Sequence, residues 1–264
     1  MATRFSGVAS WVSHSHSMKI SVLTVCWNSV STIQHTIESF IDQKYPNKEM
    51  LIIDGGSTDG TVDLIRTYER DDILISSEPD QGMYDALNKG LRNYRGDAVG
   101  ALNADDTYHD DTVLEQIAQT LSTCDMMHGS LNFVKDHGSK EIVRKWQAED
   151  RPRNGFKSGW MPAHPTFYVK RKVVEAVGEF DLNYMTASDY DWMLRAVDCH
   201  GFQLGCLQTV MVDMMQGGKS TSWIGAHIHH NYEALKARRK WLGAGIVDYA
   251  ALAKPLRKVR QFTS

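Results

Sequence analysis

The sequence predicts an α/β fold with a mostly parallel, doubly wound central sheet and helices on both faces. Short apolar runs rich in Val and Ile alternate with stretches of helical period from Lys19 to about Leu121. Those runs are nearly continuous, as in strands covered on both sides. Each ends in a polar turn bearing Asp, Asn or Gly, and open parallel sheets bind ligands beyond such strand ends.

Lys19 to Cys26 (KISVLTVC) is the first strand. Ile33, Ile37, Phe40 and Ile41 then form one stripe of a helix, with Ser29 or Ser31 as N-cap and Pro46 closing the segment. Glu49 to Asp54 is the second strand, and Thr61 to Arg70 a second helix with Val62, Ile65 and Tyr68 on one side. A short strand near Ile73 to Ser76, a helix from about Gly82 to Tyr94 and an apolar run from Ala98 to Leu102 extend the alternation. Parallel strands joined in this way cross over with a right hand. Val113, Leu114, Ile117 and Leu121 mark the next helix, which leads to a weak strand around Asp125 to His128. Beyond it the pattern loosens: Asn132 to Phe156 is polar, and Gly159 to Thr166 (GWMPAHPT) reads as a loop. Helices are expected from Arg171 to Val177 and from about Tyr190 to Cys199.

With 264 residues, 42% apolar and 23% charged, the chain can bury a full core. A net charge of -3 gives no general attraction for nucleic acid, and none is expected as a partner. Charge concentrates at the C-terminus, where Lys236 to Arg260 carries eight Lys or Arg against one acid, Asp248. With Trp241, Leu242, Ile246, Val247 and Leu252, this segment is either a basic amphipathic surface for a bilayer or a solvated terminal helix. Cys26, Cys124, Cys199 and Cys206 lack close paired spacing, as reduced thiols do. No apolar run approaches the ~18 residues of a membrane span, and Met1 to Ser17 does not read as a secretory leader. The expected location is the cytoplasm, with peripheral contact at the inner face of the plasma membrane through the tail. The expected organisation is a loose extension over 1–17 and a nucleotide-sugar half over 18–129. An acceptor half over 130–225 and a basic helical tail over 226–264 complete it.

Four motifs at the strand ends carry candidate chemistry. Asp54-Gly-Gly-Ser-Thr-Asp-Gly60 is a capped strand-to-helix turn, or one whose Asp54 accepts hydrogen bonds from a base or ribose. Asn103-Ala-Asp105-Asp106 puts two carboxylates side by side at an apolar strand end. Such a pair is costly unless a cation lies between it and a bound diphosphate, and oxygen ligands suit Mg²⁺ or Mn²⁺. The competing view is helix capping. Asp80-Gln-Gly-Met-Tyr-Asp85-Ala-Leu-Asn88-Lys-Gly90 is an N-capped helix start or a loop folding over a donor. Ser188-Asp189-Tyr-Asp191-Trp-Met-Leu-Arg195 places two acids at a helix start, where the dipole favours them. A carboxylate delivered there can also serve as a general base.

Together with Lys19-Ile-Ser-Val-Leu-Thr-Val-Cys-Trp-Asn28, these segments resemble, in order and spacing, the inverting family 2 glycosyltransferases of the GT-A fold. The match runs from about Met18 to about Ser222, and the Asp80 to Gly90 segment resembles the branch that assembles bacterial O-antigen, capsule and exopolysaccharide. The resemblance implies that Thr24, Asn28 and Asp54 face the nucleoside, with Asp80, Asn88 and Asn103 near the donor. It implies that Asp105 and Asp106 hold Mn²⁺ or Mg²⁺ with the donor diphosphate. It implies Asp189 as the base, with Asp191 the alternative. Two departures stand out. Asn103 replaces the first acid of the metal triplet, and Ser188-Asp189 replaces a Glu-Asp pair. His164, between Pro162 and Pro165, is either a packed loop histidine or a group near the acceptor or diphosphate. The implied reaction moves a sugar from a nucleoside-diphosphate donor, UDP by default, to a saccharide hydroxyl on a lipid carrier. Rival readings are a sugar nucleotidyltransferase and a catalytically silent sugar-binding protein of the same fold.

Overall fold

A computed structural model describes residues 17–216 and 224–243 of the chain. Nine strands form one sheet in the order β3-β2-β1-β4-β8-β6-β9-β5, with β7 hydrogen-bonded to the outer part of β6. The first half supplies β1 (Ile20–Cys26), β2 (Lys48–Asp54), β3 (Ile73–Ser77) and β4 (Ala98–Ala101), all parallel. From β1 the chain moves outward to β2 and β3, then returns to β4 on the other side of β1. That reversal opens a crevice at the strand tips, where ligands of such sheets bind.

Two apolar layers clamp the sheet. On one face Ile33, Ile37 and Phe40 of α1 (Ile33–Ile41) and Val113, Leu114 and Ile117 of α4 (Val113–Leu121) pack on Ile20, Val22, Met50 and Ile52. Ile65 of α2 (Thr61–Arg66) joins them. On the other face Tyr84 and Leu87 of α3 (Met83–Asn93), Val173 of α5 (Arg171–Val177) and Tyr190 and Trp192 of α6 (Ser188–Leu194) pack on Leu23, Leu51 and Val99. Alternate residues of β1 and β2 thus point to opposite layers, which is why these strands read as continuous apolar runs. Each such Ile or Leu, removed from water, contributes about 1.5–3 kcal/mol.

The expected elements through α4 are present, with two adjustments. The first helix starts at Thr32 without a side-chain cap, since the Ser29 carbonyl accepts the Thr32 and Ile33 N–H groups at 3.1 and 3.0 Å. The second stops at Arg66, and Arg70 turns back to pair with Asp72 and Ile73. The second half holds more strand than its polarity suggests: β5 (Asp106–Tyr108), β6 (Met126–Val134), β7 (Ile142–Trp146), β8 (Tyr168–Lys170) and β9 (Leu204–Met215). β6 pairs with β9 in parallel, while β4, β6, β8 and β5 meet their other neighbours antiparallel. The sheet is therefore mixed, with its longest pairings parallel.

Gly129, the expected boundary between halves, lies inside β6. A Cβ there would meet the Met211 sulfur at 2.2 Å, so its glycine permits close strand approach and does not mark a linker. Helix α6 continues as a π-helical turn, Arg195–Cys199, and α7 (Ile224–Leu242) packs back on α6. Among the described residues no helix is long and apolar enough to cross a membrane. The four cysteines are free thiols. His14, His16 and residues 244–264, which include most of the basic tail, lie outside the described residues.

Candidate active site

The tips of β1, β2 and β3 are level, with Cys26, Asp54 and Ser77 in register. Asp54 has no solvent-exposed surface. Its Oδ2 accepts the Gly56 and Ser57 N–H groups at 3.0 Å and the Ser77 hydroxyl at 2.8 Å, and its Oδ1 accepts the Ser57 hydroxyl. Burial pushes this carboxyl up, but the hydrogen bonds from Ser57, Ser77 and Gly56 outweigh it and hold the group below its ordinary value. All its acceptor capacity faces inward. Asp54 therefore shapes the turn at the tip of β2.

Asn28, at a φ of 49° in the left-handed region, stitches the first two tips together. Its N–H donates to the Ser57 hydroxyl at 2.7 Å and its Oδ1 accepts the Thr58 N–H at 2.9 Å. Ser29 N–H to Thr61 Oγ1 at 2.8 Å and Val30 N–H to Asp59 Oδ2 at 3.2 Å complete the seam. Thr24 is fully buried two residues short of the tip, and its hydroxyl has no partner. Asp80 caps the turn before α3 through the Gly82 N–H at 2.8 Å. It comes so close to the second tip that a Cβ on Gly55 would lie 2.5 Å from its Oδ2.

The turn after β4 is braced from α1, whose buried Thr36 hydroxyl donates to the carbonyls of Asn103 and Asp106 at 3.3 and 2.8 Å. Asp106 is wholly buried; its Oδ2 accepts Asn103 Nδ2 at 2.8 Å, and its Oδ1 has no hydrogen-bond partner. Burial, followed by the neighbouring charge of Asp105, raises the Asp106 carboxyl well above its ordinary value. Asp105 is half-buried. Among the described residues no group of three or more His, Cys, Asp or Glu converges on a metal position. The donor set nonetheless suits a cation of the Mg²⁺ or Mn²⁺ kind, because it offers hard oxygens, one of them buried and unpaired. Such ions commonly rest on one or two carboxylates and take their remaining ligands from phosphate and water.

The acids of α6 divide sharply. Asp191 is fully buried, accepting Arg195 Nε at 2.9 Å on Oδ2 and Trp241 Nε1 at 2.8 Å on Oδ1. Asp189 is half-buried, and its Oδ1 accepts the Tyr84 hydroxyl of α3 at 3.0 Å. Asn88, one helical turn after Tyr84, is 1% exposed and engages both backbone groups of Phe180, at 3.0 and 2.8 Å. It joins α3 to the segment before α6. His164 packs edge-on against Phe180, 6.4 Å between ring centres. It begins a short 3-10 turn, His164–Thr166; burial lowers its pKa and the charge of Asp189 opposes that.

Three contributors escaped the sequence reading: Tyr84, Thr36 and the anchoring role of α7. Glu233 of α7 accepts the Met185 and Thr186 N–H groups at 2.8 Å, fixing the approach to α6. Arg238 is 2% exposed and donates to the Tyr190 hydroxyl at 2.6 Å, while Lys240 pairs with Asp181 at 3.3 Å. Part of the basic segment thus buttresses α6 and the segment before it. The one available signal was the i, i+4 spacing of Tyr84 and Asn88, which puts both on one face of α3.

The sheet has the GT-A glycosyltransferase fold, as its structural neighbours do. Residues 21–178 match the model of glycosyl transferase family 2, and the chain belongs to that family. It is 28% identical over 198 residues to a glycosyltransferase of Mycobacterium tuberculosis, covering 71% of this chain and 72% of that one. Over 101 residues it is 36% identical to TuaG of Bacillus subtilis, named for teichuronic acid biosynthesis, covering 37% and 40% of the two chains. Among solved structures, Staphylococcus aureus TarS in complex with UDP-GlcNAc superposes with a TM-score of 0.65 at 17% identity, over 85% of this chain and 73% of that one. The mannosyltransferase PcManGT of Pyrobaculum calidifontis, with GDP-Man and Mn²⁺, gives 0.64 at 18% identity, over 94% and 70%.

Proposed function

We propose that this transferase moves a sugar from a nucleoside-diphosphate sugar, UDP-linked by preference, to a hydroxyl of a lipid-carried saccharide, inverting the anomeric centre, in the assembly of bacterial surface polysaccharide. The observation that carries the reading is the half-buried Asp189 carboxylate held against Tyr84 of the donor-side motif, while its neighbour Asp191 is consumed inside. The nucleotide sugars bound in the TarS and PcManGT structures, and the teichuronic acid connection of TuaG, support the donor and acceptor classes.

In this reading the donor lies against residues 18–129 and the acceptor against 130–225. The stitched tips carrying Asn28, Asp54 and Asp80 form a rigid wall for the nucleoside, and Thr24 and Asn103 lie behind it. Asp105 and Asp106 would hold Mn²⁺ or Mg²⁺, which supplies Lewis-acid stabilisation of the leaving diphosphate. Asp189 takes the proton of the acceptor hydroxyl as that oxygen attacks the anomeric carbon from the side opposite the nucleotide. A single displacement inverts the centre. The work takes place on the inner face of the plasma membrane, with residues 244–264 as the contact.

The test is a screen of UDP-, GDP- and dTDP-sugars against a lipid-linked saccharide, with Mn²⁺ or with EDTA, read by mass of the glycosylated product. Transfer from one donor class that stops with EDTA is expected. Absence of turnover with every donor would instead favour the catalytically silent reading.

A further inference from the structure

We propose that Tyr84 is a positioning residue for the base: its phenol donates to Asp189 Oδ1 at 3.0 Å, fixes the orientation of the carboxylate and leaves Oδ2 as the proton-accepting atom. The proposal rests on Asp189 being the base. Tyr84 is 7% exposed, so its hydroxyl cannot trade this contact for water. Burial first, then the charge of Asp189 and the hydrogen bond to it, raise the Tyr84 phenol, which keeps its proton throughout the working range. The shared proton is the phenol's own, because an ionised carboxylate only accepts.

The phenol is held from behind as well. Its ring stacks on Phe180, 5.9 Å between centres and 24° between planes. The Phe180 backbone is gripped in both directions by Asn88, four residues along the same helix. Helix α3 therefore locks two points of the second half: the backbone before α6 through Asn88, and the carboxylate on α6 through Tyr84. A carboxylate with one oxygen pinned has a single free oxygen and one orientation, as a general base needs when the proton leaves in the transition state.

The expected effect follows from the worth of one hydrogen bond to a charged group, about 1.5–3 kcal/mol net, which corresponds to about one to two pKa units. In Tyr84→Phe the ring packing remains and only the donor is lost. The acid limb of the kcat profile should rise by about one unit, with kcat down about tenfold near the old limb and the donor KM unchanged. Incorporating 2,3-difluorotyrosine at position 84 strengthens the donor and should move the limb the other way. An acid limb unmoved in both proteins would overturn the proposal, as would a fall in Tyr84→Phe confined to KM. Asp189→Asn, assayed beside them, separates the two levels. If it still transfers sugar, the base assignment fails; if it is inactive while the limb stays fixed, only the role of Tyr84 fails.

Discussion

Replacing Asp191 by Ala should cost stability, whereas replacing Asp189, two residues earlier on the same helix, should cost catalysis. Asp191 is fully buried, and its ion pair with Arg195, at 2.9 Å, involves side chains that are 0% and 10% exposed. The Arg195 guanidinium would keep its bonds to the carbonyls of Val177 and Glu179 but lose its only close counter-charge among the contacts described. Breaking such a pair by deleting one partner costs about 3–5 kcal/mol. The loss of the Trp241 acceptor belongs to the same network and does not add in full. For a chain of this size each kcal/mol lowers Tm by about 2–4 °C, so Asp191→Ala should melt roughly 6–20 °C below the parent. Asp189→Asn keeps an acceptor for Tyr84 on a half-buried side chain and should melt within about 2 °C of the parent. Its turnover should fall by about 10²–10⁴. Differential scanning fluorimetry and product formation, run on both variants, read the two effects. An Asp191→Ala protein with parental Tm and no activity, beside an active Asp189→Asn, would exchange the two roles.

Two further outcomes concern the strand tips. Asp54→Ala leaves two hydroxyls and two N–H groups without their acceptor and should lose about 2–3 kcal/mol in urea unfolding, with weaker donor binding by calorimetry because the turn loosens. Since Asp54, Asp72, Asp110 and Glu233 are all held below their ordinary values, their stabilisation is complete above those values and vanishes as pH falls through the lowered ones. The midpoint of urea unfolding should therefore drop steeply below about pH 4, and a flat profile to pH 2 would contradict this. Asp106 behaves oppositely, because a raised carboxyl destabilises the fold once it ionises, so Mn²⁺ with UDP should raise Tm more at high pH than at low pH. Asp106→Asn should abolish that pH difference, and an unchanged difference would remove Asp106 from the cation site.

The first half of the fold was legible because its strands are covered on both faces and its helices carry one apolar stripe, so period and burial coincide. The second half was not. β6 and β9 carry Asn132 and Asp213 in the sheet, where Asn132 Nδ2 donates to Asp213 Oδ1 at 3.1 Å and His109 meets the same carboxylate at 3.0 Å. Polar residues that satisfy one another across strands defeat a hydrophobic pattern, and β-propensity depends on such neighbours. At the site, the motifs located the right turns but not which side chain faces outward. Asp54 accepts the N–H groups of its own turn and the hydroxyl of Ser77 on β3, while Asn88 holds the backbone of Phe180, and the contacts with Ser77 and Phe180 cannot be read from the motifs. The division between Asp189 and Asp191 depended on Arg195, one helical turn on in the same motif, and on Trp241, fifty residues away, and the second connection is not visible in the motif itself.

The most direct test of the central claim is the configuration of the product. Under the proposed assignment, with Asp189 of α6 as the base opposite a diphosphate at the tip of β4, attack comes from the side opposite the nucleotide. With an α-linked nucleotide sugar, the anomeric proton coupling in the NMR spectrum of the first-formed glycoside should show the β configuration. An α-glycoside from the same donor would contradict the account.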